Sequence, residues 1–488
     1  MAALSLLGPE LFVFGVRECF KTLQELLSQS RSRVRIELEG FCLKLFKVHL
    51  PTSLLFVIFY KRSILRSNGW RPPVQATVKL NFSPRSYSFL LGRGLTMADA
   101  MRRACIVGVG ETPYTRWGRM AERGEWSLAC EAVLNATADA GLEIEQIDGL
   151  ASFSDDATVP WLMQNALGLP RLGFTSMVWG GGGSGACGAV AHAAAAVEAG
   201  QAQFVAVFRS LCQRPGHRYG QAGGFGGLPH LNFMAPFGMF SPPIMIAPLV
   251  QRYIHEFNAK PEHFGEVALV CRDNAQRNPR AVMRGRLLTM EDYLNSRIIA
   301  SPLRLFDCCQ ENDGACALIV TTTERARDLR RKPVRILAAA QGGNPGWGDG
   351  ALGSHNMPIA EYGAGNGKTL ATRLFERAGV TPADVETVQI YDHFTGLVLM
   401  TLENFAFCGR GEAGPFVAAG NIRWPDGRLP LNTSGGHLSE AYIHGLNLVV
   451  EGVRQLRGES TSQVKDAEIC LVTAGASASP FSAAILGV

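Results

Sequence analysis

No window of the chain reaches the roughly 18 to 20 consecutive apolar residues that a membrane-spanning helix needs, and the nearest, Leu54 to Tyr60, is far too short. A membrane protein is therefore not expected. The twelve cysteines are scattered, none forms a C-x-x-C pair, and Cys308, Cys309 and Cys316 lack the spacing of a zinc site. No metal is expected, and buried thiols in a reducing cytoplasm are the reading. A basic excess is also missing where a nucleic-acid surface would need it. The net charge of +5 comes from residues 1–96, with 14 Lys and Arg against 5 Asp and Glu, whereas residues 97–488 hold 33 against 37. The slightly acidic body argues against nucleic acid as a partner.

Residues 1–96 contain no Asp and are poor in Ala and Gly, and everything after Met97 is rich in both. This break marks 1–96 as an atypical N-terminal extension outside the fold. The remainder is enough for a large core, and the 47% apolar content suits one.

From Met97, short β-branched runs alternate with Ala/Leu-rich helical stretches, the pattern of an α/β protein. "ACIVGVG" is the opening buried strand. Ala129–Phe153 and Lys368–Tyr391 share one order of elements: helix, Ala-Gly stop, polar turn and strand, with twelve positions from Gly141 to Phe153 and from Gly379 to Tyr391. The glycine-rich turn, Ala-rich helix and strand "AQFVAVFRS" are echoed by "NTSGGHLSEAYIHGLNLVVEGVRQLRG" and "AEICLVTAG". The chain thus reads as a duplicated unit, with halves 97–328 and 329–488. "GVGETP" begins like a dinucleotide fingerprint, but Pro113 stands where the third glycine belongs. No nicotinamide or flavin is expected.

Five stretches carry a resemblance: "RRACIVGVGETPYTR", "SPLRLFDCCQENDGACALIVTT", "VQIYDHFT", "LPLNTSGGHLSEAYIHG" and "TAGASASPFSAAIL". Together they resemble the thiolase superfamily, in its sterol-carrier-protein thiolase-like or lipid-transfer-protein branch, nearest to the steroid side-chain aldolases. The resemblance covers residues 102–488. It implies the α/β thiolase fold, a duplicated five-layered αβαβα arrangement, a homodimer, an acyl-CoA substrate between the halves, and a small partner built from an OB-fold and a zinc ribbon.

Against that pattern the chain departs at the residues that do the chemistry. The nucleophilic Cys of the family falls on Gly183, and Cys187 lies one helical turn further on, as a packed thiol. The Asn or His of the second motif is Tyr391. The activating His, ten residues after Asn432, is Tyr442, and the last family Cys is absent near Thr473–Gly475. Without a thiol there is no acyl-enzyme. Two phenols near a stabilised enolate suit retro-aldol cleavage of a β-hydroxyacyl-CoA, with no cofactor. In this reading Tyr391 and Tyr442 are catalytic, with His437 the favoured relay partner and His393 a second one; His444 is a weaker candidate and His192 a structural one. Backbone N–H groups at Gly183, Ser184, Gly435 and Gly436 are the expected donors to the thioester oxygen.

A covering segment, 212–300, opens with "CQRPGHRYGQAGGFGGLPHLNFMAPFGMFSPPIMIAP", too rich in Gly and Pro for long regular elements and too apolar for a solvated linker. Arg214, His217 and Arg218 are candidate contacts to CoA phosphates. Two other functions stay open on the residues alone: a non-catalytic carrier of acyl-CoA or lipid, and a thiolase-type acyltransferase using Cys187.

Overall fold

The computed structural model describes residues 41–46, 56–61, 104–153, 158–178, 182–212, 235–239, 241–346, 358–475 and 480–488. The chain divides into two units, Met1–Gly92 and Arg93–Val488. In the first, β1 (Phe41–Phe46) pairs antiparallel with β2 (Phe56–Lys61).

The second unit begins with β3 (Ala104–Glu111), followed by β4 (Thr115–Arg116), α1 (Gly124–Ala140), β5 (Gly149–Phe153), β6 (Phe174–Val178), α2 (Ala186–Glu198) and β7 (Val205–Leu211). Next come α3 (Pro242–Phe257), α4 (Pro261–Arg277), a small hairpin of β8 (Ile298–Ala300) and β9 (Leu303–Arg304), and β10 (Asn312–Thr322). The second half supplies β11 (Val334–Gly342), α5 (Lys368–Ala378), β12 (Thr387–Gln389), α6 (Thr395–Asn404), α7 (Leu446–Arg457), β13 (Ile469–Ala474) and β14 (Phe481–Gly487).

The duplication is visible in the strand order. In the first half β6, β5 and β7 run parallel, followed by antiparallel β10 and β3. In the second, β12 and β13 run parallel, followed by antiparallel β14 and β11. A parallel bridge between Val388 and Leu431 stands where β6 stands in the first half. Helices α1 and α5 both end on a left-handed glycine, Gly141 at φ 75° and Gly379 at φ 71°. The two half-sheets meet at β3 and β11, which pair antiparallel with Ile106 opposite Val334 and Cys105 opposite Arg335.

Five layers follow from which faces are apolar. Helix α1 packs with Leu128, Ala132 and Ala136 on the outer face of the first half-sheet. Helices α2 and α7 fill the middle, sharing one core with Val205 and Val207 of the first half and Val472 and Leu486 of the second. Helix α2 is Ala-rich and apolar around most of its circumference because a sheet lies on either side of it. Helices α3, α4, α5 and α6 cover the outer face of the second half-sheet.

Two expectations are corrected here. The strand read through "VQIYDHF" stops at Gln389, because side chains take over the ladder: Ile390 N donates to Asn432 Oδ1 and Tyr391 N to Thr473 Oγ1. The Pro-rich end of the 212–248 stretch is helical, as the start of α3, since Pro242 and Pro243 occupy the first helical turn, where a missing N–H costs nothing. Residues 213–234, with Arg214, His217 and Arg218, lie outside the described residues, as does Gly181.

The middle layer carries a buried acid with a measurable consequence. Glu451 on α7 accepts from Thr433 Oγ1 at 2.7 Å and Ser460 Oγ at 2.6 Å through one carboxylate oxygen. Burial, and then the neighbouring Glu440, push its pKa up to about 7. The folded chain therefore takes up this proton at a higher pH than the unfolded chain, and the charged form is the destabilising one. Stability is highest below the ordinary carboxylate range and falls as pH rises toward 7. Glu451→Gln should gain stability relative to the parent at pH 8 compared with pH 5, as read from paired thermal melts; an unchanged difference would show that the acid is not protonated in the fold.

Candidate active site

Tyr391 lies two residues past β12 and is 3% exposed. Its Oη accepts the Gly183 N–H at 3.1 Å and lies 2.9 Å from Tyr442 Oη. Burial pushes this phenol up, while its hydrogen bonds with Tyr442 and Gly183 pull it back part of the way. Gly183 sits in the 3-10 turn Gly182–Gly185 that leads into α2. A Cβ there would lie 2.1 Å from Tyr391 Oη and 2.3 Å from its Cε2, so the phenol occupies the space that any side chain at 183 would need.

Tyr442 is the half-buried member of the pair, and Asn312 Oδ1 fixes its backbone by accepting from Tyr442 N at 2.7 Å. It stands at the wall of a cavity of about 470 Å³. The cavity is walled by Met283, Leu288, Ile299, Leu305 and Phe306, and by His393, Cys309 and Gln310. Most of the apolar side chains come from the predicted covering segment or follow it directly. The cavity suits a large, flat hydrophobic group with a polar end beside the phenols.

The structure brings His393 and His437 to the tyrosines. Ring centroids lie 4.7 Å from Tyr391 to His393, 4.5 Å from Tyr391 to His437 and 5.1 Å from His437 to Tyr442, all edge-on. Burial drives the His393 imidazole down to about 3 and holds His437 well below its usual range, so both are neutral at physiological pH. Neither ring is hydrogen-bonded to a phenol among the described residues. His437, the favoured relay partner, has its Nδ1 3.3 Å from Asp392 Oδ1, and its ring packs edge-on against both tyrosines. His444 stacks edge-on to Tyr442 at 5.1 Å, and His192 is bonded to Ser176 at 2.7 Å, away from the pair.

The glycine amides are partly engaged within the fold. Gly435 N donates to Asn432 O at 2.8 Å. The N–H groups of His437 and Leu438, after Gly436, go to the two oxygens of Asp392 at 2.8 and 3.2 Å. Asp392 is fully buried, and burial pushes its carboxyl up to about 6. The second glycine turn thus holds Asp392 through two amides distant in sequence and Asn432 through one local bond. Gly183 spends its N–H on Tyr391, and Ser184 is fully buried with its carbonyl accepting from Ser482 Oγ at 2.5 Å. Sequence reasoning missed Asn312 and Gln310, which lie within a quoted motif but belong to no pattern of their own.

Cys187 is fully buried near the start of α2, with Sγ 3.7 Å from Val472 O in the central core. Burial raises its thiol far above the usual range, which leaves no thiolate for nucleophilic attack. Cys187→Ala should leave turnover within about twofold of the parent, because no covalent step passes through this sulfur; loss of activity with the fold retained would restore the thiol mechanism. Among the described residues, no group of three or more His, Cys, Asp or Glu side chains is arranged to hold a metal ion, and no helix is long and apolar enough to cross a membrane.

Duplicated halves, five layers and a glycine-rich turn at the head of the central helix define a thiolase-type protein in which Gly183 and the Tyr391 phenol meet at that turn. Residues 365–488 match the family described as thiolase C-terminal domain-like. The chain is 44% identical over 392 residues, 79% of its own length and 99% of the relative's, to the 17-hydroxy-3-oxo-4-pregnene-20-carboxyl-CoA lyase of Mycobacterium tuberculosis. It is also 44% identical over 395 residues, 79% of its length and 97% of the relative's, to a steroid side-chain-cleaving aldolase of Thermomonospora curvata. Among solved structures, the Ltp2-ChsH2(DUF35) aldolase superposes with a TM-score of 0.73 at 42% identity, covering 79% of this chain and 98% of that one. The chain belongs to the steroid side-chain-cleaving aldolases of the thiolase superfamily, a family of carbon–carbon lyases.

Proposed function

We propose that the protein cleaves a steroid β-hydroxyacyl-CoA by a retro-aldol reaction, giving a ketone and a shortened acyl-CoA. The observation that carries this is the phenol pair, Tyr391 Oη to Tyr442 Oη at 2.9 Å, ending at an apolar cavity. The roles follow from the direction assigned to the phenol–phenol bond. Gly183 N–H donates to Tyr391 Oη, and of the two directions open to the bond with Tyr442 we assign the one in which Tyr391 donates to Tyr442 Oη, so that each bond polarises the next. Negative charge is thereby favoured on the Tyr442 oxygen at the cavity wall, and Tyr442 is the base.

Tyr442, as the phenolate, takes the proton of the β-hydroxyl and becomes the neutral phenol. The electron pair of that O–H bond forms the ketone, the bond between the α and β carbons breaks, and its pair passes to the α carbon and thioester oxygen as an enolate. Tyr442 then returns the proton to the α carbon. Protons and electrons balance within the site, so the cycle uses no cofactor, and coenzyme A enters only as part of the substrate.

The test is direct: incubation with a steroid β-hydroxyacyl-CoA should release ketone and shortened acyl-CoA in equal amounts. Return of the thioester unchanged would make the protein a carrier. We further propose a homodimer that works in the cytoplasm with an OB-fold/zinc-ribbon partner. Support for a partner comes from the second component in the name of the solved relative, ChsH2(DUF35), and the ten free thiols among the described residues fit a reducing compartment.

A further inference from the structure

Cleavage places charge on the thioester oxygen, and two of the four expected donors are committed elsewhere, Gly183 N–H to Tyr391 and Gly435 N–H to Asn432, while the amides that follow Gly436 go to Asp392. Donors that remain without partners are found in the cavity wall. Gln310 lines it, and its buried Nε2 has no hydrogen-bond partner among the described residues. His393 lines it too, is 5% exposed, and has neither ring nitrogen hydrogen-bonded among the described residues. Buried polar groups in native proteins are nearly always satisfied, so two unsatisfied donors on one cavity mark the place of a ligand atom.

We propose that Gln310, together with His393, holds the thioester oxygen of the substrate, with the Gln310 amide N–H and one imidazole N–H donating to it as the enolate forms. The inference rests on the retro-aldol reading and names the part of the site which that reading leaves empty.

The backbone sets this pair in place. Cys308 bridges antiparallel to Phe394, Cys309 N donates to His393 O at 2.9 Å, and Gln310 N donates to His437 O at 3.2 Å. The segment bearing Gln310 is therefore laced to the one bearing His393, next to the histidine that packs on both phenols. Both donors are neutral, and His393 stays so because burial keeps its imidazole at about 3. Neutral donors fit a pocket that must stabilise charge only while it is present, since a fixed cation there would bear a standing cost of burial. Gln310 would touch the substrate and counts as a catalytic residue; it takes no proton, so it leaves the phenols their role.

Two readouts on the full-length protein test this, steady-state cleavage of the β-hydroxyacyl-CoA and exchange of the α hydrogens of propionyl-CoA for deuterium in D₂O, followed by mass spectrometry. The second forms an enolate without breaking a carbon–carbon bond. Gln310→Met, near in shape but lacking the donor, should lower kcat and the exchange rate together by about 10²- to 10³-fold, with KM within a few-fold. Gln310→Glu, which keeps the shape and places an acceptor against the enolate, should do the same, and it covers the case in which Gln310→Met fails to fold. Parental exchange in both variants overturns the proposal, as does loss of cleavage with exchange intact, which would put Gln310 on the β-hydroxyl side. Absence of both activities in the parent protein removes the aldolase reading and this site with it.

Discussion

Tyr442→Phe is expected to lower kcat for carbon–carbon cleavage by about 10²- to 10⁴-fold, the usual scale for removing a positioned acid–base group, while the protein melts near the parental temperature. The hydroxyl is the only atom group lost. The ring keeps its edge-on contacts with His437 and His444, and the backbone keeps its anchor on Asn312. Tyr391→Phe should also be slowed, but by less: Tyr442 keeps its oxygen, and Gly183 N–H loses an acceptor. Because Tyr391 is buried and Tyr442 reaches the cavity, the order of the two effects tests which phenol is the base. Rates near wild type for Tyr442→Phe would end the phenol mechanism.

Gly183→Ala is expected to be the most damaging single methyl in the site. Its Cβ would fall 2.1 Å from Tyr391 Oη and 2.5 Å from Cζ, well inside van der Waals contact with a ring that is packed on all sides. Overpacking of this kind costs about 1–3 kcal/mol or more, so the melt should drop and cleavage should be lost with the displaced phenol. The same methyl in a Tyr391→Ala background has an open space to enter, and the double-mutant cycle should show coupling of about 1–3 kcal/mol. Additive effects would mean that the ring yields easily and that glycine at 183 has another cause. By the same geometry, Gly183→Cys should not restore thiolase chemistry while Tyr391 is present.

Much of this architecture could be read without coordinates because it repeats. The helix ends at Gly141 and Gly379 and the strands that follow are set by local chain chemistry, and two copies of one pattern reinforce each other. Position along the motifs was likewise enough to place both phenols in one site. The destinations of hydrogen bonds were not readable. Asp392 captures the His437 and Leu438 amides, 45 and 46 residues away in sequence, a destination that no local pattern announces. The α3 helix was hidden by its prolines: Pro242 and Pro243 suit a first turn as well as a loop, while Pro248 stands inside the helix, where a proline normally argues against one. Gln310 has no spacing rule at all; only its place on the cavity and its lack of a partner make it visible.

The ladder between β3 and β11 has a mechanical implication. A duplicated protein whose halves are tied only by loops can gape like a clamshell to admit its ligand, whereas here backbone hydrogen bonds stitch the two half-sheets together, and α2 and α7 press on strands of both. Opening along that seam would tear main-chain bonds and expose the central core. The cavity instead lies on the flank, lined by Arg297 and Ile299 at the hairpin of β8 and β9 and by Pro242 and Pro243 at the head of α3, so a guest can reach the phenols with the seam intact.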